Sequence, residues 1–282
     1  AAERAAPGLV DELRRDPAAR VLVVRGDTAP VGDGALHLVA PGDVPGGAAW
    51  AFLGRDGDTA VLCAAFAADA PEPFPAPDRW ASLREIGGAL PEQEAGAFVE
   101  ALSLGRWLLE APCCPACGAL ADVENAGWSR RCPACGREHF PRTDPAVIVA
   151  VESADGERLL LGSNALWGQD RYSCFAGFVE AGESLEAAVA REVEEESGIR
   201  VARVSYRGSQ AWPYPRSLML GFWARAEDDD AARPDGEEIV QVRWFTRAQL
   251  RAAFDGESEV RLPGAASIAH ALIREWAEAR DG

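Results

Sequence analysis

Apolar and polar positions alternate in several regimes along this chain, and each regime predicts a different element. In the first 75 residues, short apolar runs at 21–24 (VLVV), 36–39 and 61–66 lie between Gly and Pro turns and predict strands. His37, in one of these runs, reads as a strand residue without chemistry, and 71–77 (PEPFPAP) reads as an extended linker. From Trp80 to Glu110 the spacing changes to three or four, with Ala97, Ala101, Leu104 and Leu108 on one face, and predicts helix.

The C-terminal half repeats the alternation with stronger punctuation. Residues 146–151 (AVIVAV) follow Pro145 as an unbroken apolar run, which predicts a strand buried on both faces. A turn at Asp155-Gly156 leads to a second strand at 158–162, and 172–178 delivers the chain into a helix. That helix has a cap at Ser184, Glu186 in its first turn, a stripe of Leu185, Val189 and Val193, and a left-handed stop at Gly198. Further strands are expected at 201–209, 218–224 and 237–245, with a solvated acidic loop at 227–230. Between the first two of these, residues 209–217 frame aromatic residues with prolines and suggest a stiff ligand platform. The end, 267–279, reads as a helix with Ile268, Ala271, Leu272, Glu275 and Trp276 on one face.

The net charge of −17 argues against extensive neutralisation of nucleic-acid phosphates, so an anionic ligand has to be met locally by metal and backbone. No run of about 20 apolar residues is present, and the first residues lack the apolar core of a signal peptide, which predicts a cytoplasmic protein without a membrane partner. Met219 is the only methionine, so the numbering is expected to begin after trimming. Length and apolar content predict two compact domains and a small insert, with boundaries at 1–111, 112–139 and 140–282.

Seven cysteines, an odd number, point away from a disulfide scaffold. Cys114, Cys117, Cys132 and Cys135 form two Cys-x2-Cys knuckles, each followed by Gly, at the separation of a zinc ribbon. Cys113 has no counterpart in the second knuckle. Four thiolates close the coordination sphere, so the single zinc per chain is expected to be structural rather than catalytic, and a thioredoxin-like redox pair is the rival reading. Cys63 and Cys174 read as small apolar residues.

The chemistry concentrates in the helix after Gly182. Glu192, Glu195 and Glu196 fall on one face, where like charges repel unless a cation cancels them, and carboxylate oxygens select Mg²⁺ or Mn²⁺. Gly177, Glu183, Arg191, Glu192, Val193, Glu195, Glu196, Gly198 and Ile199 together match the Nudix box without departure. With the ribbon before it and SQAWPYPRS after it, the chain resembles the NADH pyrophosphatases, also called NAD-capped RNA hydrolases. That loop departs from the family's usual SQPWPFPxS at Ala211 and Tyr214. The resemblance runs through 80–276, and the first 75 residues match only in general character.

The resemblance implies an α/β (α+β) fold, a Nudix α/β/α sandwich with a mixed sheet, preceded by the ribbon and a β-rich N-terminal α/β domain. It implies two to three Mg²⁺ or Mn²⁺ ions on Glu192, Glu195, Glu196, Glu238 and the carbonyl of Ala176. Glu196 is favoured as general base, with Glu192 and Glu195 in the same catalytic cluster and Arg191 orienting it. Phe178 and a partner subunit's Phe140, which stands where relatives often carry Tyr, would sandwich the nicotinamide in a homodimer with a shared site. Gln210, Ala211, Trp212, Pro213, Tyr214, Pro215, Arg216, Ser217, Ala269 and Arg84 would line the substrate. The implied reaction is hydrolysis of NADH or NAD to nicotinamide mononucleotide and AMP, including the NAD cap of RNA 5′ ends. Hydrolysis of ADP-ribose or another dinucleotide, and a catalytically dead nucleotide sensor with a nucleic-acid-binding ribbon, are the alternatives.

Overall fold

A computed structural model describes residues 2–279. The chain divides into two compact units, Ala1–Arg142 and Thr143–Gly282. The first begins with α1 (Leu9–Leu13), β1 (Arg20–Arg25), β2 (Thr28–Gly32), β3 (Ala35–Leu36), β4 (Ala49–Asp56), β5 (Thr59–Phe66), β6 (Arg79–Ser82), α2 (Leu83–Ile86) and α3 (Glu92–Glu110). Its sheet runs β3-β2-β1-β5-β4, with β6 on β2. β1 and β5 pair in parallel from Arg20↔Val61 to Arg25↔Phe66, and both are buried because each face is covered. Val21, Val23, Leu62 and Ala64 point into a cluster with Leu9 and Leu13. On the other face the backbone of α3 comes so near β5 that a Cβ on Gly105 would lie 2.7 Å from Ala65 Cβ.

Two expectations for this unit need correction. Residues 80–82 are strand rather than helix: Ala81 pairs with Ala29 and Trp80 with Pro30, and Ser82 then opens α2 through a capping box with Glu85. The non-local partner decides between the two conformations, and local spacing cannot see it. The strand expected at 36–39 shrinks to Ala35–Leu36, because Val39 instead bridges β1 at Val21 and His37 lies just past the strand, its N–H bonded to Pro30 O at 2.9 Å.

The same unit ends in a three-stranded antiparallel sheet of β7 (Asp122–Glu124), β8 (Ser129–Arg131) and β9 (Glu138–His139). Buried Arg130 locks this sheet to α3 by donating to Ala121 O and Leu108 O, both at 2.8 Å.

The second unit contains β10 (Asp144–Glu152), β11 (Arg158–Asn164), β12 (Phe175–Phe178), α4 (Leu185–Ser197), β13 (Val201–Trp212), β14 (Ser217–Ala226), β15 (Ile239–Thr246), α5 (Arg247–Phe254) and α6 (Ile268–Glu278). The mixed sheet runs β13-β14-β10-β11-β15. β10 is parallel to β14 along its whole length, and its other edge is shared by β12 and β11, both antiparallel. Val147, Val149 and Val151 pack with Ala188, Val189 and Val193 of α4, while Ile148 and Ala150 pack with Leu250 of α5 and Leu272, Ile273 and Trp276 of α6. Helices therefore cover both faces of the sheet. Among the described residues no helix is long and apolar enough to cross a membrane.

Here too tertiary pairing overrides local pattern. β13 continues through Gln210, Ala211 and Trp212, because each pairs with β14 up to Trp212↔Ser217, and only 213–216 remain as turn. The buried face of α6 is Ala269, Leu272, Ile273, Trp276 and Ala277, with Ala271 exposed. α5, unanticipated, opens with a capping box of Thr246 and Gln249. The acidic stretch is anchored rather than free, since Asp229 accepts from Arg158 Nη2 and Ala154 N, each at 2.8 Å. Glu237 and Glu238 precede β15 instead of lying in it.

Candidate active site

The four knuckle cysteines gather their Sγ atoms within 4.8 Å of one another. Cys114 Sγ lies 3.7 Å from Cys135 Sγ, and Cys117 Sγ 3.5 Å from Cys132 Sγ. Tetrahedral zinc with Zn–S near 2.3 Å requires edges of roughly 3.8 Å, so the donor set and its spacing fit zinc. Gly118 and Gly136, at φ +76 and +74, close the two turns, each N–H returning to the carbonyl of the first cysteine of its knuckle at 2.9 Å. His139 Nε2 lies 3.0 Å from Cys114 Sγ, a contact no spacing rule anticipates.

The second centre is built where β12 meets α4. Ser184 Oγ accepts from Ala187 N and Gly198 ends the helix at φ +68. β12 pairs with β10 so that Val147 opposes Gly177. The carboxylate of Glu192 lies directly over Gly177, where a Cβ would come 2.0 Å from the Glu192 carboxyl carbon. One helical turn on, Glu196 is 6% exposed and accepts one hydrogen bond, from Ala176 N at 3.3 Å. Burial, reinforced by the charges of Glu238 and Glu192, pushes its carboxyl up to about 8. Burial also raises Glu192, against the opposing pull of Arg191.

Arg191 is the hub of the surrounding charges. Its guanidinium donates to Glu183 at 2.9 Å through both Nε and Nη2, to Glu192 at 2.7 Å, to Glu195 at 3.1 Å and to Phe178 O at 3.0 Å. Its hydrogen bonds hold Glu183 down to about 2. Among the described residues no basic side chain pairs with Glu196. A buried carboxylate flanked by two others and left without a protein cation suits a hard divalent cation with oxygen ligands.

The remaining expected residues are distributed as follows. Phe178 ends β12 and is 55% exposed, and Glu195 and Glu238 are exposed. Gln210 uses both ends of its side-chain amide on the chain before α6, donating to Ala266 O at 2.8 Å and accepting from Ile268 N at 2.7 Å. Trp212 and Tyr214 rings stand 5.1 Å apart and tilted by 60°. Pro213 and Ser217 are buried, Ala211, Pro215 and Arg216 are exposed, and Arg216 Nε donates to Asp144 Oδ2 at 2.8 Å. Ala269 packs into the core on the α6 side of the sheet. Phe140, 62% exposed, and Arg84, exposed on α2, belong to the first unit.

A model of the NUDIX domain matches residues 142–263, one of the NADH pyrophosphatase-like rudimentary NUDIX domain matches 7–107, and one of the NADH pyrophosphatase zinc ribbon domain matches 113–140. Residues 142–263 are a Nudix domain. Among curated relatives, the NAD-capped RNA hydrolase NudC of Mycobacterium tuberculosis (strain H37Rv) is 42% identical over 202 residues, covering 69% of this chain and 64% of that protein. The human NAD-capped RNA hydrolase NUDT12 is 40% identical over 197 residues, covering 66% of this chain and 42% of the relative. The matches thus span less than two thirds of those relatives. A solved Nudix hydrolase from Nitrosomonas europaea aligns with TM-score 0.43 and 24% identity over 59% of this chain and 90% of its own.

In the Nudix frame, the box positions Glu183 and Arg191 acquire a physical meaning as a charge web that holds the box helix to β12. Glu183 was visible as a motif position, but its anchoring task was not. Asn164 and Asp235, which contact the loop of Glu238, carried no signal beyond the Asp-Gly turn at 235–236.

Proposed function

We propose that this Nudix-domain protein is a divalent-metal-dependent diphosphatase that hydrolyses NADH and NAD to nicotinamide mononucleotide and AMP and removes the NAD cap from RNA 5′ ends. The observation that carries this reading is buried Glu196, flanked by the charges of Glu192 and Glu238, in a chain that also contains the NADH pyrophosphatase-like and ribbon domains. Similarity to the NAD-capped RNA hydrolases NudC and NUDT12 supports the substrate class.

Glu192, Glu195, Glu196, Glu238 and the carbonyl of Ala176 would hold two to three Mg²⁺ or Mn²⁺ ions. Bound there, such ions would offset the charge of a diphosphate and lower the pKa of a bound water. Glu196 would accept the proton of the attacking water, as a carboxylate within reach of it can. Arg191 keeps Glu192 and Glu195 oriented, and Gly177 leaves Glu192 room against the strand. Phe178 and the partner subunit's Phe140 stack on the nicotinamide in a homodimer, with Gln210 to Ser217, Ala269 and Arg84 lining the substrate. The domain division 1–111, 112–139 and 140–282 belongs to the same reading. A net charge of −17 argues against extensive contacts with the body of a transcript and leaves cap binding open.

Product analysis tests this directly. With Mg²⁺ or Mn²⁺, NADH should yield nicotinamide mononucleotide and AMP, and NAD-capped RNA should yield a 5′-monophosphate end. Faster cleavage of ADP-ribose or diadenosine substrates than of NADH would reassign the substrate.

A further inference from the structure

Glu238 is exposed and stands just before β15, where a glutamate ordinarily samples many rotamers. Here its main chain and its carboxylate are both held. One oxygen of Asp235, Oδ1, accepts three successive backbone N–H groups, from Glu237 at 2.7 Å, Glu238 at 2.9 Å and Ile239 at 3.0 Å. Gly236, at φ +84, makes the turn and donates to Ile239 O at 3.0 Å. The carbonyl of Glu238 accepts Ala165 N at 2.8 Å, and its Oε1 accepts Asn164 Nδ2 at 3.3 Å.

Asn164 sits at a register break, since β11 and β15 shift between Ser163 and Asn164. Its Oδ1 and carbonyl O accept the N–H groups of Leu166 at 2.9 Å and Trp167 at 3.0 Å, so its own position is set independently of Glu238. An isolated turn needs one side-chain acceptor for one or two donors. This one has three donors on a single oxygen and a second residue reaching across from the neighbouring strand to the carboxylate itself. All three groups of Glu238 that can hydrogen-bond, its N–H, its C=O and its carboxylate, are thus engaged by Asp235, Ala165 and Asn164.

We propose that Asp235 and Asn164 are positioning residues of the metal site, Asp235 fixing the backbone of Glu238 and Asn164 aiming its carboxylate, so that cation affinity depends on two residues that do not ligate. The inference rests on the reading of Glu238 as a ligand. An arm already ordered loses little freedom when the cation arrives, whereas a loose one loses it on binding.

The test is Mn²⁺ binding to the zinc-loaded chain without substrate, with free Mn²⁺ followed by electron paramagnetic resonance. Asp235→Ala should raise the Mn²⁺ Kd about tenfold or more, within the range for partners that orient metal ligands. Asn164→Ala, which removes the hydrogen bond to the Glu238 carboxylate together with the one from Leu166 N, should raise it roughly two- to tenfold. Asp235→Asn keeps an Oδ1 acceptor and should remain within about threefold of wild type, because position rather than charge is what Asp235 supplies. Zinc content and thermal unfolding should be unchanged in Asn164→Ala, which keeps the test valid even if Asp235→Ala loosens the turn. Wild-type affinity in both alanine variants, or an Asp235→Asn variant as weak as Asp235→Ala, would overturn the proposal. Wild-type Mn²⁺ binding that is indifferent to Glu196→Gln would remove the metal-site reading itself, a separate and distinguishable failure.

Discussion

Replacing Glu196 by Gln should stabilise the cation-free protein at high pH and nearly silence the loaded enzyme, and both effects share one origin. Burial with Glu238 and Glu192 nearby raises the Glu196 carboxyl from 4.5 to about 8. A carboxyl raised in the folded state holds its proton more tightly there than in the unfolded chain. Its stabilising contribution is therefore full below about pH 4.5 and is lost as pH rises through about 8. The interval from 4.5 to about 8 corresponds to about 5 kcal/mol as an upper bound. Even half of that would move a urea midpoint by about 1 M. Gln keeps an acceptor for Ala176 N and carries no charge. Urea unfolding from pH 5 to 9, free of Mg²⁺ and Mn²⁺ but with zinc retained, should show wild type losing stability through this range and Glu196→Gln lacking that loss. Added Mg²⁺ at pH 8 should stabilise wild type and do little for the variant, while turnover of the variant falls by about two orders of magnitude or more. Parallel pH profiles for the two proteins, or a variant less stable than wild type at pH 9, would refute the argument.

Cys117→Ser should cut zinc content and solubility, since a structural ion contributes directly to folding; a purified wild type without zinc would remove the premise. Gly177→Ala should fold but lose most turnover, because the new Cβ displaces the flexible end of Glu192 rather than backbone, and near-wild-type kcat would show that Glu192 can work from elsewhere. Phe140→Ala should weaken NADH binding roughly three- to tenfold while sparing ADP-ribose, as loss of ring stacking predicts. Mixing Phe140→Ala with Glu196→Gln subunits should raise activity after exchange, and a monomeric protein, or no gain despite exchange, would end the shared-site reading.

What was readable from sequence was whatever local chemistry determines. The bounds of α4 follow from Ser184 and Gly198, and the cysteine cluster follows from two knuckles whose turns need only their own glycines. β10 was legible because six consecutive apolar residues, 146–151, are buried under helices on both faces. Most of the misread elements depend on distant partners, the exceptions being α5, with its local Thr246–Gln249 capping box, and the Asp235 turn that keeps Glu237 and Glu238 out of β15. Residues 80–82 become strand through β2, Gln210 to Trp212 become strand through β14, and the α6 face is chosen by the sheet beneath it. The candidate site divides along the same line. Crowded glutamates were visible on one helix face, but the destinations of charges were not: Arg191 reaches back past the start of α4 to Glu183 and Phe178 O, Asp235 folds onto the backbone of Glu238 three residues on, and Asn164 alone reaches Glu238 from a segment far away in sequence.

The register of β10 acts as a ruler for the whole second unit. Its odd-numbered residues 147, 149 and 151 belong to the α4 layer and its even-numbered residues 148 and 150 to the α6 layer, while Val147 also fixes where Gly177 stands beneath Glu192. Deleting one residue here would not thin the core so much as exchange its two halves, and it would carry the glycine out from under the carboxylate in the same motion. β13, at the sheet edge, already contains two register irregularities, between Ala202 and Ser205 and between Tyr206 and Gly208. Length changes should therefore be tolerated along that edge and excluded from the central strand, so that the same sheet offers one margin free to drift and one line that keeps the chemistry in place.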